Sequence, residues 1–181
     1  LLLAGCGPML PEGPRPYPVP SGTGAPLGNG LVDRPITEGT RTAVLRESDS
    51  LTQCVAELTA ARVNFSPMPD KVQSAVCGLS QGGVLGADMG TVARMTPGQP
   101  EMTCRLALAV SVWRRQSLEP AAREILGSDV VQIDHFGAYA CRNVNNGGVS
   151  NRVSAHAQAL ALDVSGVRLR DGRRITLTGD W

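Results

Sequence analysis

The sequence predicts an α+β domain on three observations: helical apolar spacing in the first half, alternating aliphatics with an Asp-Gly turn in the second, and cysteines able to crosslink a core with few aromatics. At 181 residues the chain accommodates one domain with a core, and not two once tails are removed. Hydrophobic residues at 42% exclude a wholly disordered polymer, while aromatics at 3% leave the core to Val, Leu, Ile and Ala. With 17 Lys and Arg against 16 Asp and Glu, the net charge of +1 provides no field for a phosphate backbone, so nucleic acid is not an expected partner. No stretch approaches the roughly 20 apolar residues of a membrane-spanning helix.

The chain opens Leu1, Leu2, Leu3, Ala4, Gly5, Cys6, which resembles a bacterial lipobox. That resemblance makes residues 1–6 the remnant of a lipoprotein signal peptide and Cys6 the lipidated residue. The membrane is then a partner through that lipid, and the domain faces the periplasm. Gly7 rather than Asp after the cysteine favours the outer membrane. Residues 7–35 hold eight of the 13 prolines, including Pro14, Pro16, Pro18 and Pro20, followed by glycines at 22, 24, 28 and 30. Alternate prolines fix φ and remove amide donors, so this stretch is expected to be a tether. The folded part is expected from Ile36, giving a domain over 36–181.

Ser50 or Asp49 is placed to cap a helix whose Leu51, Cys54, Val55, Leu58 and Ala61 follow the spacing of one buried face. A turn is expected at Ser66, Pro67, Met68 and Pro69, then weak strands and loops from Cys77 to Met95. A second helix is expected near Thr103, with Met102, Leu106, Ala109, Val110 and Trp113 on one side and Arg114 and Arg115 near its C-terminal end. Glu119, Pro120 and then Ala121 to Leu126 form a short third helix, with proline in its first turn and Gly127 just beyond its end. Val130, Val131, Ile133, Phe136 and Tyr139 are strand-like, and Asn143 to Gly148 reads as a polar loop. Leu160, Leu162 and Val164 alternate with Ala159, Ala161, Asp163 and Ser165, which predicts a strand with Asp163 on the face opposite the aliphatics. Asp171-Gly172 then predicts a tight hairpin. Helices in the N-terminal half packing on a small antiparallel sheet is the expected architecture.

Setting Cys6 aside leaves Cys54, Cys77, Cys104 and Cys141, which can pair in three ways. Nearest-neighbour pairing, Cys54 with Cys77 and Cys104 with Cys141, is the expectation. No C-x-x-C pair supports a zinc cluster from these thiols.

The chain contains two histidines, His135 and His156. An imidazole nitrogen and a carboxylate oxygen are both good zinc ligands, so His156 with Asp163 seven residues on is the candidate metal pair. Ser154-x-His156-x-x-Ala159-x-Ala161-x-Asp163 resembles the S-x-H-x-x-G-x-A-x-D signature of the D-Ala-D-Ala metallopeptidases of the hedgehog and lysostaphin group, with Ala159 where those enzymes usually carry Gly. More broadly, the chain resembles the bacterial extensin-like C-terminal domain family. The landmarks are Cys54 with Leu58, Pro69-Asp70, Cys77, Met102-Thr103-Cys104 with Leu106-Ala107, Trp113, Pro120-Ala121, Tyr139-x-Cys141-Arg142, Ser154-x-His156, Asp163, Asp171-Gly172 and Asp180-Trp181.

That resemblance implies zinc as cofactor, His156 and Asp163 as two of its ligands, Arg142 as a catalytic group holding a substrate carboxylate or developing oxyanion, and Ser154 supporting the His-bearing turn. His135 matches no ligand position and is expected to be a packed or partly exposed strand residue. The family's third ligand and base lie in an H-x-D-H-x-H-like segment after Asp-Trp, which this chain lacks, so C-terminal truncation is expected. The implied activity is a zinc-dependent peptidase acting on peptidoglycan peptides. The alternative is a non-catalytic envelope protein of the same fold that binds wall peptides or a protein partner.

Overall fold

The computed structural model describes residues 30–144 and 152–180. The lipobox reading at Cys6 and most of the tether lie outside those residues. A short 3-10 turn, Leu31–Asp33, comes first, and Leu31 and Val32 are buried in the core. Packed structure therefore begins inside the stretch read as tether, because two adjacent aliphatics find a surface between helices.

Helix α1 (Thr40–Glu47) buries only Val44, so it has no apolar stripe that would announce it in the sequence. Helix α2 (Leu51–Ala60) starts where its cap predicts: the Ser50 hydroxyl accepts from Gln53 N at 3.2 Å, and Cys54 and Leu58 are buried. Burying a leucine such as Leu58 contributes about 1.5–3 kcal/mol. Helix α3 (Cys104–Trp113) is capped by the Thr103 hydroxyl, which accepts from Leu106 N at 3.2 Å. It buries Cys104, Ala107, Leu108, Val110, Ser111 and Val112, so it is wrapped on more faces than one apolar side would require.

Arg114 and Arg115 correct the expectation of a helix end. They open a π-helical turn, Arg114–Leu118, that leads without a break into α4 (Glu119–Leu126). No free carbonyls end the helix there, and both guanidinium groups turn inward to Asp88 instead. Helix α4 has Pro120 in its first turn and closes on Gly127, whose left-handed φ of 65° is the conformation glycine adopts freely.

The strands form three sheets among the described residues. Strands β1 (Val63–Pro67), β4 (Gly82–Asp88) and β6 (Glu101–Thr103) pair antiparallel in the order β1-β4-β6. Strand β1 includes Ser66 and Pro67, where the sequence predicts a turn; Pro67 is tolerated because it ends an edge strand. Strands β2 (Lys71–Val72) and β3 (Gly78–Leu79) make a separate hairpin. The third sheet has the order β5-β7-β8-β9, formed by β5 (Arg94–Thr96), β7 (Val130–His135), β8 (Val164–Leu169) and β9 (Arg174–Thr176). Its β7–β8 and β8–β9 pairs are antiparallel, as in the expected small sheet, and its β5–β7 pair is parallel. The chain between these strands includes α3 and α4, the long crossover that parallel pairing requires. The Asp171-Gly172 hairpin forms between β8 and β9 as predicted, with Gly172 at φ 91°.

One core cluster gathers α2, α3, β1 and β4, and a second gathers α4, β7 and β8; Trp113 packs against both. All four cysteines are crosslinked, but the expected pairing is wrong. Cys54 bonds Cys104 and Cys77 bonds Cys141, with Cα separations of 6.1 and 5.5 Å. Chain neighbours are not spatial neighbours here: α2 lies on α3, which brings Cys54 to Cys104, and the β2–β3 hairpin reaches the segment after β7.

Candidate functional site

The site is assembled from the two sides of the segment that follows β7. Residues 140–144 and 152–156 run antiparallel: Val144 N donates to Arg152 O at 2.9 Å, Ser154 N to Arg142 O at 3.1 Å, and Ala140 N to His156 O at 2.9 Å. This ladder sets Arg142 beside the 3-10 turn Ala155–Gln158 that carries His156. The Ser154 hydroxyl caps the turn, accepting from His156 N at 3.3 Å.

The expected strand from Ala159 to Ser165 begins only at Val164. Ala159 adopts a left-handed backbone with φ 51°, and its carbonyl accepts from Thr103 N at 3.2 Å, so no strand ladder can form there. An alanine Cβ is crowded in that left-handed conformation, which glycine adopts freely. Asp163 is then placed by a local irregularity. Phe136 N donates to Asp163 O at 2.8 Å, and Asp163 N donates to Gly137 O at 3.3 Å, so two residues oppose one.

These placements bring together three side chains that are far apart in sequence. His156 Nε2 lies 3.1 Å from Asp163 Oδ1, and Arg142 reaches Asp163 Oδ2 at 3.6 Å. The His156 side chain is 10% exposed, the Arg142 side chain 32% and the Asp163 side chain 51%, so the carboxylate faces water while the imidazole is held from behind. What holds it is the Ala138 carbonyl, 3.1 Å from His156 Nδ1. The Ala138 carbonyl and the Asp163 carboxylate are both acceptors, so they compete for the one N–H of a neutral ring: with the proton on Nδ1 the Nε2 lone pair faces Asp163, and with it on Nε2 the ring donates to Asp163. In the first arrangement Nε2 and Asp163 Oδ1 are two acceptors 3.1 Å apart, and a shared cation would satisfy both. A backbone carbonyl fixing the far nitrogen is also the usual support for a metal-binding histidine.

His135 stands elsewhere. It is buried at the end of β7, its Nδ1 accepts from Gly137 N at 3.0 Å, and burial holds its pKa below the ordinary histidine value. It takes no part in the triad, as its sequence context suggested. The Ala138 carbonyl was not foreseen, because a main-chain acceptor has no side-chain signature. Among the described residues no cluster of three or more His, Cys, Asp or Glu is arranged to hold a metal ion. Among the described residues, too, no helix is long and apolar enough to cross a membrane.

Helices beside mixed sheets, two crosslinks and a His–Asp–Arg cluster at one edge define the class of domain. The family model for the extensin-like protein C-terminus matches residues 52–181, and the chain belongs to that family. No curated protein and no solved structure matches it.

Proposed function

We propose that this chain is a cell-envelope lipoprotein whose domain is a zinc-dependent peptidase acting on peptide bonds of peptidoglycan, tethered to the membrane through lipid on Cys6. The observation that carries the reading is the contact of His156 Nε2 with the half-exposed Asp163 beside Arg142, on a ring whose Nδ1 faces the Ala138 carbonyl. The two donors fit two positions of a zinc site, and the resemblance of the Ser154-to-Asp163 stretch to D-Ala-D-Ala metallopeptidases supports the same assignment. Bound there, zinc would polarise a peptide carbonyl and lower the pKa of a bound water.

The chain's own residues do the rest of the work. The Ala138 carbonyl, 3.1 Å from Nδ1, orients the imidazole, and the Ser154 hydroxyl, accepting from His156 N, holds the turn that carries it. Arg142, tied through its backbone to Ser154, presents a guanidinium to a substrate carboxylate or to the oxygen that gains charge during attack. A second reading is favoured by the donor count: with two protein ligands among the described residues, zinc is held weakly, and the domain acts as a non-catalytic binder of wall peptides.

Zinc uptake by equilibrium dialysis, together with muropeptide cleavage followed by chromatography, tests both. The peptidase reading expects zinc binding that His156→Ala and Asp163→Asn abolish, and cleavage that a chelator stops. Zinc binding without cleavage supports the binder, whereas zinc uptake indifferent to both substitutions overturns the site.

A further inference from the structure

A groove of about 510 Å³ opens beside the His156 turn, bounded by the β2–β3 hairpin, the start of α3 and the 158–160 segment. Its lining includes Val72, Val76, Leu160, Gln158 and Arg105, and the three aliphatics are exposed. His156, Asp163 and Arg142 do not line it. It is nevertheless continuous with them in two ways. Gln158 belongs to the same 3-10 turn as His156, and the Cys77–Cys141 bond ties the hairpin wall to the residue preceding Arg142.

The charges in this groove are unequally answered. Lys71 is paired with Glu101 at 2.6 Å. Asp70 accepts from the Ser80 hydroxyl and from Gln81 N, both at 2.9 Å. Arg105 meets only neutral oxygens: its Nε donates to Ser48 Oγ at 3.0 Å and its guanidinium to Ser48 O at 3.5 Å. Among the described residues no carboxylate pairs with it, so its side chain is oriented by a buried serine while its charge stays uncompensated. An oriented guanidinium matches a carboxylate in geometry as well as charge. The hairpin strands pair only with each other among the described residues, leaving backbone donors and acceptors for an extended chain.

We propose that this groove binds an extended peptide bearing a free carboxylate, with Arg105 as the carboxylate's partner and the aliphatics of the hairpin and Leu160 contacting its side chains. The proposal deepens the peptide-directed reading above and rests on it for the substrate class. It assigns recognition to a residue outside the candidate centre.

Fluorescence polarisation in the presence of EDTA tests it, using an N-terminally fluorescein-labelled tetra-alanine as the free acid and as the C-terminal amide. The unmutated chain is expected to bind the acid at least about tenfold more tightly than the amide, the scale of one charge-assisted hydrogen bond. Arg105→Gln should bring the acid to the level of the amide, while Arg170→Gln, remote from the groove, should keep the difference. Equal binding of acid and amide by the unmutated chain overturns the proposal whether or not any variant folds, as does a difference that survives Arg105→Gln. Because EDTA removes metal-dependent cleavage from the measurement, the two ideas fail separately. Acid-selective binding in a chain that never cleaves muropeptides sinks the peptidase reading alone, and cleavage with equal affinity for acid and amide sinks this one alone.

Discussion

Asp88 and Asp163 each face two cationic or protonatable partners, and water separates their roles. Asp88 ends β4 with its carboxylate fully buried, 2.5 Å from Arg114 and also bonded to Arg115. Arg115 reaches on to Asp33 at 2.7 Å and to the Ala61 carbonyl at 2.5 Å. Burial works against the Arg115 charge, and the hydrogen bonds and fields of Asp88 and Asp33 outweigh it, so its pKa is raised. Asp163 meets His156 and Arg142 at longer range with half its surface open. A carboxylate with every partner inside the protein can only hold the fold. One that keeps a face to solvent remains available to a ligand.

The largest test of this contrast removes one charge from each cluster. Asp88→Asn leaves two buried guanidinium groups short of a counter-charge and should cost about 3–5 kcal/mol in urea unfolding. Asp163→Asn should cost no more than about 1 kcal/mol, because a half-exposed pair is screened by water, while abolishing zinc uptake in dialysis. Comparable losses from the two substitutions would erase the distinction drawn here.

The disulfides sharpen the same comparison on a smaller scale. Cys54 and Cys104 are both buried, whereas Cys77 is buried and its partner Cys141 is exposed. Their sequence separations of 50 and 64 give similar unfolded-state constraints, each with a typical worth of about 2–4 kcal/mol. Access therefore decides reactivity, and a mild reductant followed by alkylation and mass spectrometry should label Cys77 and Cys141 before Cys54 and Cys104. Simultaneous labelling would mean that the core opens as readily as the site.

The two histidines give a pH test. Burial lowers the His135 pKa, so the folded state favours its neutral form. Its contribution is fully present above the unfolded value of about 6.5 and is lost as pH falls below that value toward the lowered folded pKa. The stability of the unmutated chain relative to His135→Asn, measured by urea unfolding, should accordingly decline between pH 7.5 and 5. A difference independent of pH would show that His135 is not desolvated. The smallest effect is expected at Ala159, where Gly relieves the left-handed φ but loses a buried methyl and some backbone order. Ala159→Gly should change stability by less than about 1 kcal/mol in thermal unfolding.

The helix cap at Ser50 or Asp49, the helix start near Thr103, the Pro120 and Gly127 bounds of α4 and the Asp171-Gly172 hairpin were legible in the sequence, because each depends on residues within a few positions of one another. So were His156, Asp163 and Arg142 as a group worth comparing. What was illegible is non-local. The sequence alone offered no reason for Cys54 to choose Cys104, and it read Arg114 and Arg115 as the dipole partners of a helix end.

Local chemistry along the chain thus determined where most elements start and stop, the α+β class and the side chains capable of metal or carboxylate chemistry. Only tertiary packing decided which cysteines meet, which aspartate is sealed from water, and that a main-chain carbonyl at residue 138 stands behind the His156 ring. The physical reason is that caps and turns are satisfied by groups a few residues away. Burial, crosslinking and the orientation of an imidazole depend on groups that the chain brings together only when it folds.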